Sequence, residues 1–137
     1  MPAVEFIDTN IWIYAHLRTP NEPRHPLALA LVKQLKNAVI SPQVIAEYYS
    51  VMLKNRKDDV WIQTNIQTIL GYTQLQALDA KVIQRALWIR QRYGFSYWDC
   101  QIVAAALEAG CVTLYSEDMQ SRQVIDGVLT VLNPFSL

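Results

Sequence analysis

The chain has little of what several common protein classes need. It carries two cysteines, Cys100 and Cys111. That is too few for a disulfide framework, and no paired Cys/His spacing accompanies them to suggest a zinc site. Both sit in apolar patterns and read as buried free thiols of a cytoplasmic protein. The four glycines never cluster into a phosphate-cradling loop, which disfavours nucleotide-binding enzymes. No run of about 18 apolar residues exists, so no membrane span is expected. The opening Met1-Pro2-Ala3-Val4-Glu5 lacks a basic region followed by an apolar one, so no signal peptide is expected. His16 and His25 have no acidic or serine partner at catalytic spacing. Net charge is zero, which removes long-range steering of a polyanion by total charge.

What is present is apolar and ordered. The 137 residues are 52% apolar, which argues against disorder and for one compact domain spanning 1–137. Val4 to Ile7, Ala38 to Ile40, Thr73 to Leu78, Val112 to Tyr115 and Val128 to Leu132 read as five strands. Helical spacing of apolar residues falls between them, over 9–17, 27–36, 42–54, 60–70, 79–92 and 97–109. Ser41-Pro42, Asp79 and Ser96 supply helix starts, and Gly71, Gly94 and Gly110 supply stops. Residues 18–26, with three prolines, read as a surface loop, and 119–125 as one or two helical turns. The alternation predicts an α/β three-layer sandwich: a mainly parallel, five-stranded sheet with helices on both faces.

Acidic residues fall where such a fold places its sites, beyond the carboxyl ends of the strands. Asp8 follows the first strand, and Glu117-Asp118 follow the fourth. Asp99 opens the helix that leads into the fourth strand. Glu47 lies about two turns into the helix after the second. Each has an ordinary structural explanation: Asp8 as a helix cap, Asp99 in a capping box with Ser96, Glu117 and Asp118 at the positive end of a short helix. Glu47, Asp8 and Asp99 nevertheless stand among apolar neighbours with no cation close in sequence, a costly placement without a partner. If they converge, two carboxylates about 4 Å apart repel by about 4 kcal/mol at an effective dielectric near 20. Such a cluster takes up protons or binds a cation. Oxygen-only ligands suit Mg²⁺ or Mn²⁺ and argue against zinc. Water on such an ion has a lowered pKa and can attack phosphorus. Asn10 and Ser116 are placed to orient ligands or phosphate.

Asp8-Thr9-Asn10-Ile11, Ser41 with Glu47 six residues on, Asp99 followed by Ile102 and Ala104-Ala105, and Leu114 to Asp118 together resemble the PIN-domain family, especially the VapC-type toxins of toxin–antitoxin pairs. The resemblance covers the whole chain. It implies that Asp8, Glu47, Asp99 and Asp118 are the four catalytic acids, with Asp8, Asp99 and Asp118 nearest the metal and Asn10 and Ser116 in support. It also implies Mg²⁺- or Mn²⁺-dependent cleavage of RNA, a homodimer, and a small antitoxin partner. Met119 departs from the aromatic or leucine of many members. Glu117 beside Asp118 leaves open which acid turns inward, and the family pattern favours Asp118.

Two alternatives stand beside this reading. A catalytically silent binding module of the same fold is disfavoured because all four family positions are acidic. A phosphatase or phospho-receiver domain needs a late lysine or a second Asp two after the first. Here no lysine follows Lys81, and Asn10 holds that second place. Among the basic groups, Arg18, Arg24 and His25 are the best placed for a phosphate track. Trp12, Tyr14, Trp61, Trp88, Tyr97 and Trp98 read as core or dimer contacts, with base stacking as the functional alternative. The helices around Val60 to Leu70 and Trp88 are candidates for an exposed apolar patch that binds a partner.

Overall fold

The computed structural model describes residues 3–136. Its first strand, β1 (Glu5–Ile7), is short and buried, and Asp8 ends it by capping α1 (Thr9–His16). The chain continues through α2 (Arg24–Gln34), β2 (Ala38–Ile40), α3 (Pro42–Lys54), α4 (Asp59–Tyr72) and β3 (Gln74–Leu75). It then forms α5 (Ala80–Tyr93), α6 (Tyr97–Glu108), β4 (Thr113–Tyr115), β5 (Val124–Ile125) and β6 (Leu129–Leu132).

The sheet order is β3-β2-β1-β4-β6-β5, parallel except for the β5–β6 pair. From β1 the chain steps outward to β2 and β3, then crosses back to β4 on β1's other side. Right-handed crossovers in opposite directions put helices on opposite faces of the sheet. The helices pack accordingly, α1 on α2 and α3, α3 on α4, and α5 on α6. The reversal between β1 and β4 is the topological switch point, where open parallel sheets leave a crevice at the carboxyl ends. Register aligns Ile7 with Tyr115, and the Asp8 N–H donates to the Tyr115 carbonyl at 3.0 Å. Asp8 and Ser116 therefore leave the sheet side by side.

The core holds Phe6, Ile7, Val39, Ile40, Tyr48 and Leu114, all at or below 1% exposure. Helix α6 is buried without a break from Cys100 to Ala106. Its run of small residues, Ala104 to Ala106, lets neighbouring elements approach on every side. Its two ends reach the surface, and the first turn carries Asp99.

The α/β architecture matches the pattern read from sequence, with specific differences. The sheet has six strands rather than five, because Val124-Ile125 turns back antiparallel to β6 where helical turns were expected. The third strand is two residues, not six. Helix α2 starts at Arg24, inside the expected loop, since proline is tolerated in a first turn. Gly71 does not stop α4, which runs one residue further to Tyr72. Gly94 does stop α5, in the left-handed conformation at φ 73°. Cys100 and Cys111 are free and buried, and burial pushes the Cys111 thiol up to about 12.

Candidate active site

Asp8 is the most enclosed of the acids, 7% exposed. As N-cap of α1 its Oδ1 accepts the Thr9 N–H at 2.7 Å. Its Oδ2 accepts the Ser116 hydroxyl at 2.8 Å. The capping role expected of Asp8 is thus real, yet it satisfies only one oxygen. Burial raises the Asp8 pKa to about 6, against the lowering by Thr9 and Ser116, and Asp118 and Glu47 add to the rise.

Ser116 is fully buried and works on two partners. It donates to Asp8 and its oxygen accepts the Asp118 N–H at 3.2 Å. This hydroxyl ties the end of β1 to the turn after β4. Thr9 does the same between α1 and α3. Its hydroxyl donates to Glu47 Oε1 at 2.6 Å. Glu47 itself is exposed, so it leans over the rim rather than standing buried among its apolar neighbours. Asp99 lies in the first turn of α6, where its N–H is capped by the Ser96 hydroxyl at 3.2 Å.

The pair after β4 divides its roles. Glu117 turns away, accepting from Asn10 Nδ2 and from the Tyr14 hydroxyl, each at 3.0 Å. Arg24 lies 4.0 Å from its other oxygen and also donates to the Tyr14 hydroxyl. Asp118 faces the cleft instead. Its pKa is raised by partial burial first, then by Glu117, Asp99 and Glu47. Asn10 reaches both acids, touching Asp118 at 3.5 Å.

These side chains line one cleft of about 700 Å³ at the carboxyl end of the sheet: Asp8, Asn10, Glu47, Asp99 and Asp118, with Thr9 between them. Four carboxylates from β1, α3, α6 and the turn after β4 thus share one space. Ser116 lies beneath it. Among the described residues no basic side chain intervenes between the acids, and the one cation lining the cleft, Lys54, comes from the far end of α3. Arg24, from the group expected to track phosphate, is engaged with Glu117, Glu22 and Tyr14.

Several contributors were not picked out from sequence. Thr9 stood within the Asp-Thr-Asn block without a role, although a hydroxyl directly after a candidate acid was a usable signal. Gln101 is buried in an otherwise apolar helix and donates to Gln43 Oε1 at 2.9 Å. Gln43 in turn offers its amide N–H to Glu47 Oε2 at 3.5 Å and to the Trp98 carbonyl at 3.2 Å. A lone glutamine in an apolar helix pattern was the available cue.

The donor set suits a hard cation. The cleft lining offers carboxylate and amide oxygens, with no histidine or cysteine. Among the described residues no three acid, histidine or cysteine side chains close into a ready cage. Mg²⁺ does not require one, since it keeps several waters and binds through one or two carboxylates.

Comparison with known proteins agrees with the fold. The PIN domain family matches residues 6–125. A toxin–antitoxin complex from Klebsiella pneumoniae is similar in structure at TM-score 0.70 and 20% identity, over 97% of this chain and 99% of that one. FitAcB from Neisseria gonorrhoeae gives 0.68 and 21%, over 98% and 100%. The sarcin–ricin-loop-cleaving toxin VapC20 of Mycobacterium tuberculosis gives 0.67 and 18%, over 83% and 89%. No curated protein matches the chain. With most of its length matched and its acids gathered at the switch point of the sheet, the chain belongs to the PIN domain family.

Proposed function

We propose that this protein is a metal-dependent endoribonuclease that hydrolyses RNA phosphodiester bonds and serves as the toxin of a toxin–antitoxin pair. The observation that carries the reading is the cleft itself. Asp8, Glu47, Asp99 and Asp118 line it with no basic group among them, and the pKa values of Asp8 and Asp118 are raised chiefly by burial and in part by other acids of the four. A solvated or capping role accounts for none of that mutual proximity.

Asp8, Asp99 and Asp118 would hold Mg²⁺ or Mn²⁺. When bound, the ion neutralises phosphate oxygens and acidifies water for attack on phosphorus. The protein's own groups do the positioning. Ser116 and the Thr9 N–H leave Asp8 few rotamers. Thr9 fixes Glu47, whose exposed carboxylate is free to accept a proton from attacking water. Asn10 holds Asp118 inward and Glu117 outward. Ser116 links the Asp8 carboxylate to the Asp118 backbone N–H.

The toxin role is supported by the structural neighbours, among them a toxin–antitoxin complex and a toxin described as cleaving the sarcin–ricin loop. A homodimer is supported by α5, whose Ile83, Leu87 and Trp88 are 41%, 52% and 44% exposed. An antitoxin is the natural cover for further apolar surface, including Val60 and Tyr72 on α4. The test is cleavage of RNA by purified protein. Activity should require Mn²⁺ or Mg²⁺, stop with chelator, and fall in Asp8→Asn and Asp99→Asn. Full activity in both variants would overturn the assignment.

A further inference from the structure

The acid cleft continues past the acids in both directions along α3. Gln43, Glu47, Ser50 and Lys54 line it, at spacings of four, three and four residues. That spacing places them on one helix face. Lys54 follows Glu47 by seven residues, about 10 Å along the helix axis. It forms no ion pair among the described residues, although four carboxylates line the same cleft. On the other side of Glu47, one turn back, Gln43 holds the carbonyl of Trp98. The Trp98 indole borders the cleft and is 64% exposed, while most of α6 beyond it is buried. Its plane is steadied by an edge contact with Tyr97 at 5.8 Å.

A large exposed indole and an unpaired ammonium, on opposite sides of a row of acids, call for a ligand that is both aromatic and anionic at short intervals. A single-stranded polynucleotide meets both demands. A base splayed from the strand covers the indole, and a phosphate one or more nucleotides away offsets Lys54. A duplex does not, because its bases are already stacked on each other. We propose that Trp98 and Lys54 form two flanking-nucleotide subsites: the indole stacks a base on one side of the scissile phosphate, and the ammonium binds a backbone phosphate on the other.

This rests on the ribonuclease reading, but its test does not need cleavage. Fluorescence anisotropy measures the binding of a labelled single-stranded oligoribonucleotide and of the same sequence as a duplex. The protein carries Asp8→Asn, so that RNA survives the titration. Trp98→Ala should weaken single-strand binding about tenfold, and Trp98→Phe should restore most of it. Lys54→Gln should lower the slope of log Kd against log salt by about 0.7, the contribution of one single-strand phosphate. Duplex binding should not respond to Trp98→Ala. Both side chains reach solvent, so neither variant threatens the fold. Single-strand affinity within twofold of the parent in Trp98→Ala, or an unchanged salt slope in Lys54→Gln, overturns the subsites even if wild-type protein cleaves RNA. Loss of affinity for a co-expressed protein partner in Trp98→Ala, with RNA binding intact, would assign the indole to a protein contact and overturn them too. Binding that follows the prediction in a protein that never cleaves RNA would leave the subsites standing and remove the nuclease reading.

Discussion

Asp8 should weaken the fold at neutral pH in the absence of metal. Its folded pKa is raised from 3.8 to about 6, chiefly by burial. Between those values the native state holds more protons than the unfolded chain, so stability falls as pH rises through that window. The difference of about two units corresponds to about 3 kcal/mol lost by pH 8. Asp8→Asn removes the charge and keeps the shape. The amide oxygen can still accept the Thr9 N–H, but Ser116 loses its acceptor and must turn, at a cost of about 1 kcal/mol. The net gain is about 2 kcal/mol, a rise in Tm of about 5–8 °C for a domain of this size. Thermal unfolding in chelator should show that gain at pH 8, and by pH 4, where little but the Ser116 cost remains, the variant should be slightly less stable than wild type. Mn²⁺ should raise the Tm of the wild type and leave the variant behind. A variant no more stable than wild type at pH 8, or a difference that ignores pH, would refute the electrostatic account of Asp8.

Other substitutions probe separate parts of the site. Ser116→Ala removes a donor that favours ionised Asp8, so the acidic limb of the pH–rate profile should move to higher pH. Thr9→Val keeps the branched shape but removes the hydroxyl that holds Glu47; kcat should drop while loss of one hydrogen bond, about 1 kcal/mol, lowers Tm by only a few degrees, as read by RNA cleavage and calorimetry. Asp99→Asn should cost about a hundredfold or more in cleavage rate with the fold intact by circular dichroism. Leu87→Asp places a charge on the exposed apolar face of α5 and should convert the proposed dimer to monomer in analytical ultracentrifugation.

The sequence was most legible where local chemistry decides. Asp79 caps α5 through the Val82 N–H, Gly94 ends it, and Pro42 opens α3 behind Ser41, all by short-range rules. It was least legible where tertiary pairing overrides local preference. Val124-Ile125 becomes a strand only because Leu129-Thr130 lies opposite. Gly71 passes unnoticed inside α4, since an isolated glycine weakens a helix without ending it. The acids themselves were visible because each interrupts an apolar stretch just after a strand or early in a helix. Their partners were less visible. That Tyr14 and Arg24 draw Glu117 outward depends on α1 meeting α2, a contact of tertiary packing with no sequence signature. Lys54 enters the cleft for a similar reason: its face of α3 is set by the core positions Val44, Tyr48 and Met52, which turn the opposite side toward the acids.

Diffraction at the manganese edge from crystals soaked in Mn²⁺ tests the central claim most directly. The account predicts an anomalous peak in the cleft, bonded to Asp8 and to at least one of Asp99 and Asp118, and absent from Asp8→Asn crystals. A cleft without that peak at millimolar Mn²⁺, in protein that still cleaves RNA, would contradict it.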